Sequence, residues 1–274
     1  MRSANARADF ERALDAALAR YAGTAPITEQ IRYHFTVTGA RLRSAAVLAV
    51  IEEEDGRMEV GINAACAIEI LYNYWLVHGD IEEGGRVRGG QPTIGAKWGL
   101  AHGINAGDSL CAIGYLTLLA SDLTVPAEQT LAMTRALHEA NLAMCSGAAS
   151  DLAFEPDAPV SRSEYLAMVG GKTASLFGAA CQLGALAAGV SAKRAAAYAE
   201  LGEAYGYAYH IEDDVLHRSP VGTHVLAAFG SREAALAESR CRFQAASAIA
   251  HAHQIDRGGR VRELFTGLIQ EAAS

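Results

Sequence analysis

A chain of 274 residues that is 51% hydrophobic and 20% charged holds enough apolar material for a large core, which excludes a disordered chain. A net charge of −8, with no stripe of clustered Lys and Arg, gives no electrostatic footprint for nucleic acid. Six prolines, 7% aromatic residues and alanine-rich stretches favour helix over sheet, and no uninterrupted apolar run is long enough to span a bilayer, so the expectation is an all-α, soluble, cytoplasmic protein.

Helical periodicity runs through residues 5–22, 27–36, 41–54, 58–83, 94–121, 126–148, 161–188, 191–217, 231–252 and 258–272. The breaks between them are short and rich in Gly and Pro, and no linker divides the chain, so a single domain over 1–274 is expected. Ser161 and Glu164 have capping-box spacing and mark a helix start. Cys66, Cys111, Cys145, Cys181 and Cys241 sit without CxxC spacing in helix-like runs, which reads as thiols in a reducing compartment.

Two acidic clusters end apolar helical runs, where stray carboxylates are costly: Asp80 with Glu82 and Glu83, and Asp213 with Asp214. Facing each other across a bundle, they could hold magnesium. Residues 72, 75, 76 and 79 form one helix wall below Asp80 and Glu83, while Tyr205, Tyr209 and Asp213 recur every four residues as an aromatic column topped by a carboxylate. After the first cluster comes a basic, glycine-rich loop with Arg86 and Arg88, and later Lys172-Thr173. Carboxylates for metal and cations for the remaining oxygens are what a magnesium-bound diphosphate needs. The Gly171-Lys172-Thr173 triplet is no nucleotide P-loop, because Leu166 breaks the required spacing.

From Gly39 to the C-terminus the chain resembles the trans-isoprenyl diphosphate synthase, or polyprenyl synthetase, family. The resemblance is carried by Gly39-Ala40-Arg41-Leu42-Arg43, by His78 to Gly84, by Arg88 to Thr93, by Trp98-Gly99, by Ile104 to Asp108, by Asp151 to Glu155, by Lys172 to Ala174 and by Tyr209 to Asp214. It implies an isoprenoid-synthase helical bundle around a central active-site cavity, a magnesium cofactor held by two aspartate-rich motifs, and pairing into a homodimer or a heterodimer with another prenyl synthase. The family joins an allylic diphosphate to isopentenyl diphosphate.

The departures concentrate in the cationic site for isopentenyl diphosphate. Ala40 stands for the family's lysine, Tyr72 for its histidine and Gly89 for its second arginine, leaving Arg43. The first acidic motif lacks its leading aspartate, at Gly79, and the second ends in His217 instead of aspartate; the loop Arg218 to His224 is shortened. On this pattern the expected activity is magnesium-dependent ionisation and cyclisation of a C10 or C15 allylic diphosphate without isopentenyl condensation. A silent or regulatory subunit of a prenyl synthase, and prenyl transfer to a non-isopentenyl acceptor, are the alternatives.

The expected metal ligands are Asp80, Glu83 and Asp213. Arg88 and Lys172 would neutralise the diphosphate, Asp214 belongs to the same acidic motif, and His210, where the family usually has glutamine, would take a proton or bond the diphosphate. Arg43, Tyr72, Thr173, Tyr205 and Tyr209 are expected to bind substrate, with Tyr74 and Trp75 setting a floor one turn below the first cluster.

Overall fold

The computed structural model describes residues 4–23, 26–37, 39–120, 125–154, 159–217 and 223–269. They are almost entirely helical: α1 (Ala4–Ala22), α2 (Ile27–Phe35), α3 (Leu42–Glu53), α4 (Met58–Glu82), a two-residue hairpin β1 (Val87–Arg88) and β2 (Gln91–Pro92), α5 (Ile94–Trp98), α6 (Leu100–Leu119), α7 (Ala127–Ala153), α8 (Arg162–Val169), a π-helical turn (Gly170–Ala174), α9 (Ser175–Ala187), α10 (Ala192–His217), α11 (Thr223–Phe229), α12 (Arg232–His253) and α13 (Arg260–Thr266). The all-α reading holds.

Several boundaries differ from the periodicity, among them the ends of α7 and α13. The span 94–121 divides at Gly99, whose φ of 101° no helix accepts. The span 161–188 is interrupted by the π turn, and α11 carries too few residues for a periodic signal. Ser161 forms the expected capping box, its side chain accepting from Glu164 N while the Glu164 carboxylate accepts from Ser161 N. Most of the loop 218–224 lies outside the described residues.

The chain groups into two compact units, residues 1–45 with 62–126, and residues 46–61 with 127–274. In the first, α4 is long and apolar enough to cross a membrane by length and composition, yet most of that stretch is buried in protein, as in the core helix of a soluble fold. Helix α6 packs close to α4: a Cβ on Gly107 would stand 2.2 Å from the His78 ring, so only glycine lets His78 lie across that helix. In the second unit α7, α9, α10 and α12 pack around Phe177, Leu183, Leu201, Tyr205 and Phe265, all at or near zero exposure.

The first unit also buries a polar network. His34 Nε2 donates to Asn73 Oδ1 at 2.9 Å, Asn73 Nδ2 donates to the Glu69 carbonyl at 2.8 Å, and the Glu69 carboxylate accepts from Arg41 Nη1 and Ser44 Oγ, each at 3.1 Å. Burial pushes the His34 ring from 6.5 down to about 4, against the hydrogen bond to Asn73. The unfolded chain therefore takes up a proton between pH 6.5 and 4 that the folded chain refuses. Stability is fully present above 6.5 and falls by about 3 kcal/mol as the pH drops to 4. Urea titrations across that window should show the loss, and His34→Gln, which keeps a donor for Asn73 but does not titrate, should flatten it; an unchanged slope in the variant would place the effect elsewhere.

Candidate functional site

The first cluster is built at the end of α4. Gly84, at φ 66°, stops the helix, and Gly89 and Gly90, at φ 55° and 81°, supply the two positive-φ residues of the tight turn that folds β2 back onto β1. The hairpin returns Arg88 to Asp80. Its Nε lies 3.1 and 3.0 Å from the two carboxylate oxygens and its Nη2 2.7 Å from Oδ1, a forked pair with the aspartate side chain only 10% exposed. Burial alone would make Arg88 easier to deprotonate, but Asp80 outweighs it and holds the guanidinium charged. Thr93 closes the arrangement by donating to the Gly85 carbonyl at 2.9 Å and capping α5 through Ala96 N. Glu83 is exposed.

Around the Gly39–Arg43 segment, one arginine is committed inward. Arg41, at φ 55°, is buried, ion-paired to Glu69 at 3.1 Å and to Glu11 at 3.5 Å. Arg43 stacks its guanidinium over the Tyr72 ring, 3.6 Å from the centroid, so these two expected substrate contacts form one cation–π pair. Gly89 presses on the segment's neighbour: a Cβ there would lie 2.4 Å from Val37 Cγ1. Lower on α4, Tyr74 is buried edge-on to His78, ring centroids 5.1 Å apart, and the half-buried Trp75 has an indole N–H with no acceptor among the described residues.

In the second unit, the π turn inserts one extra residue per turn between α8 and α9 and so re-aims Lys172 and Thr173. Its backbone lies against α7. A Cβ on Gly147 would stand 2.2 Å from Lys172 N, and one on Gly171 would stand 2.6 Å from the Ala143 carbonyl oxygen. Lys172 Nζ donates to Asp151 Oδ2 near the end of α7, while the other oxygen, Asp151 Oδ1, is buried without a hydrogen-bond donor among the described residues.

Four side chains converge behind this pair. Thr173 Oγ1 is 2.7 Å from His210 Nδ1, His210 Nε2 is 3.3 Å from Asp214 Oδ2, and Tyr165 donates to the same oxygen at 2.7 Å. Burial would raise the Asp214 carboxyl, but hydrogen bonds from His210 and Tyr165, with Lys172 nearby, hold it below the usual carboxylate range. Burial and then Asp214 push the Tyr165 hydroxyl upward, so it stays a donor. Asp213 is exposed on the same helix, while Glu212 is buried.

Tyr205 requires a correction. It is wholly buried, stacked on Phe265 at 4.6 Å and edge-on to Phe243 at 5.3 Å, because its face of α10 turns to α12 and α13. It is core, with no surface left for substrate. Tyr209 is half-buried, edge-on to Phe177 at 5.6 Å. Tyr165 escaped the sequence reading, since nothing in its local pattern marks a residue that bonds an aspartate so far along the chain.

Oxygen donors suit a hard dication such as magnesium, and the carboxylates of both clusters supply them. Among the described residues no group of three or more His, Cys, Asp or Glu side chains is gathered to hold one. In the first cluster, the oxygens of Asp80 are occupied by Arg88.

The family model for polyprenyl synthetase matches residues 24–219, which include every motif residue from Arg43 to Asp214. A geranylgeranyl diphosphate synthase of Methanosarcina mazei is 35% identical over 185 residues, 68% of this chain and 56% of that protein. One from Sulfolobus acidocaldarius is 33% identical over 195 residues, 71% and 59% of the two chains. A (2E,6E)-farnesyl diphosphate synthase of Mycobacterium bovis is 33% identical over 178 residues, 65% of this chain and 48% of that one. The chain thus spans only about half to three fifths of the length of these relatives.

Among solved structures, a geranylgeranyl pyrophosphate synthase superposes with a TM-score of 0.86 at 22% identity, covering 100% of this chain and 99% of that one. The geranylgeranyl pyrophosphate synthetase of the archaeon Geoglobus acetivorans gives 0.83 at 23%, covering 97% and 99%. Both likenesses establish the fold.

These findings overturn the expectation of cyclisation without isopentenyl diphosphate, since the named relatives are synthases that condense it. Loss of individual cations argued for a different reaction, but it removes affinity without removing the rest of the machinery. Members of this family generally depend on magnesium. The match through both acidic clusters, with the all-helical fold, establishes that the chain belongs to the polyprenyl synthetase family.

Proposed function

We propose that the chain is a short-chain prenyl diphosphate synthase that condenses a C10 or C15 allylic diphosphate with isopentenyl diphosphate. The observation that carries this reading is the family match running unbroken through both acidic clusters and the Lys172 turn. Lys172 and Arg88 supply cations to the allylic diphosphate, and Tyr74 and Trp75 limit the prenyl chain. Magnesium, by neutralising the diphosphate, would make it a leaving group. Glu83 and Asp80 in the first cluster, and Asp213 in the second, would meet it, Asp80 only once Arg88 turns its guanidinium to another anion.

The test is direct. Purified protein with magnesium, isopentenyl diphosphate and either geranyl or farnesyl diphosphate should yield a prenyl diphosphate five carbons longer, read by mass spectrometry. A hydrocarbon formed without isopentenyl diphosphate, or no product at all, would sink the proposal.

The thin cation set makes a second expectation. Ala40 is exposed. Ala40→Lys should therefore lower KM for isopentenyl diphosphate about tenfold or more, the worth of one charge-assisted hydrogen bond of about 1.5–3 kcal/mol, with KM for the allylic substrate unchanged.

A homodimer, or a heterodimer with another prenyl synthase, fits the exposed Leu100, Ile104, Leu116 and Leu119 of α6, each 45–61% exposed. Cytoplasmic placement fits five cysteines that form no disulfide among the described residues.

A further inference from the structure

The hairpin that carries Arg88 is too small to hold itself in place. Each strand has two residues, paired Val87 to Pro92 and Arg88 to Gln91, and a ladder that short is not stable alone in water. Thr93 closes its base through the carbonyls of Gly85 and Arg86, and the rest is held by the end of α2. Tyr33 donates its hydroxyl hydrogen to the Pro92 carbonyl at 3.0 Å. Thr36 Oγ1, which donates to the Tyr33 carbonyl at 2.7 Å, accepts from Gln91 Nε2 at 3.4 Å, on the strand opposite Arg88. Tyr33 also meets α5, which follows the hairpin. Its ring stands edge-on to Trp98, centroids 4.9 Å apart, and the Lys97 ammonium lies over both rings, 3.8 Å from the Tyr33 centroid and 4.3 Å from that of Trp98.

We propose that Tyr33 and Lys97 are positioning residues that act through Arg88, bracing the hairpin so that its guanidinium stands in one place. The proposal rests on the prenyl-synthase reading, in which Arg88 leaves Asp80 for the allylic diphosphate. At that moment the ion pair that also anchors the hairpin is given up, and α2 with the Lys97 clasp is what keeps the arginine aimed. Gly89 stands where the resemblance places a second arginine, so the hold on that diphosphate depends the more on where Arg88 sits. What position 97 requires is a cation over two ring faces. Arginine meets the requirement; methionine, of similar reach, does not.

Two readouts test this, one of them without turnover. In protein labelled with nitrogen-15 arginine, the Arg88 Nε–H signal is identified by its loss in Arg88→Met. It should exchange with water about threefold to tenfold faster in Tyr33→Leu and in Lys97→Met, and at the unmodified rate in Lys97→Arg. In steady-state assays Tyr33→Leu should lower kcat/KM for the allylic diphosphate about tenfold and Lys97→Met about threefold, with KM for isopentenyl diphosphate unchanged. Lys97→Arg should restore the unmodified value, and Tyr33→Phe, which keeps the ring and loses the bond to Pro92, should fall between Tyr33→Leu and the unmodified chain. Added to Arg88→Met, Tyr33→Leu should cost nothing more, because both act on one cation. If Tyr33→Leu does not fold, the comparison of methionine with arginine at the exposed position 97 carries the same test. Equal rates for those two residues, a parallel rise in KM for isopentenyl diphosphate, or multiplied losses with Arg88→Met would overturn the proposal. Absence of condensation by the unmodified protein would instead remove the synthase reading, while the Arg88 exchange rates would still decide whether the brace exists.

Discussion

Lys172→Ala is expected to lower kcat by about two to three orders of magnitude, the usual effect of deleting one preorganised group that meets developing charge. It should also destabilise the protein by about 3–5 kcal/mol, because Asp151 is 8% exposed, has no donor at Oδ1 among the described residues, and would lose its ammonium at Oδ2. The two losses can be separated. Combining Lys172→Met with Asp151→Asn removes the stranded charge, so urea unfolding should recover most of the stability while kcat stays low. Recovery of kcat together with stability would mean that Lys172 acts only by neutralising Asp151, and its part in the reaction would be withdrawn.

Gly147→Ala is expected to be the most damaging small substitution in the chain. The added methyl would stand 2.2 Å from Lys172 N and 2.7 Å from the Gly171 carbonyl carbon, and both obstacles are backbone, which no rotamer change moves aside. A cost of about 3–5 kcal/mol follows, with α7 pushed off the π turn and activity lost at temperatures where the fold survives. Gly79→Ala is the matched control. It lies inside α4, has no atom within 4 Å of the added carbon, and should be neutral or more stable by up to about 1 kcal/mol. Thermal unfolding of the two variants side by side decides the matter; equal midpoints would contradict the backbone approach described here.

The helices were legible because alanine-rich segments with a 3.6-residue apolar period leave few other options, and the capping box at Ser161 needs only local spacing. Lys172 and Asp214 were legible through motif residues that stand in order along the chain. Other features had no local signature. The pair Gly170-Gly171 reads as an ordinary weak spot in a helix, and only the approach of α7 shows why the backbone changes register there. That Asp80 is ion-paired to Arg88 was not legible either, because a helix diagram does not show a hairpin bringing Arg88 back across it. Tyr205 and Tyr209 are equivalent in spacing, yet Tyr205 faces Phe265 and belongs to the core. Tyr165 meets Asp214 through the tertiary fold alone. Periodicity tells which face of a helix is apolar, but which neighbour covers that face is decided by chain segments far away.

Gly89 bears on how this chain can change over generations. At position 79, where the resemblance places an aspartate, there is open space around the Cα, and at position 40 the chain is exposed, so either family residue could return by one substitution. The arginine that the resemblance places at 89 cannot return so simply. Its Cβ would meet Val37 Cγ1 at 2.4 Å, and the backbone there holds a φ of 55° that side chains disfavour. With Val37 packed against a bare glycine, an arginine at 89 is blocked unless Val37 shrinks first, so the two positions can change toward the family pattern only in that order.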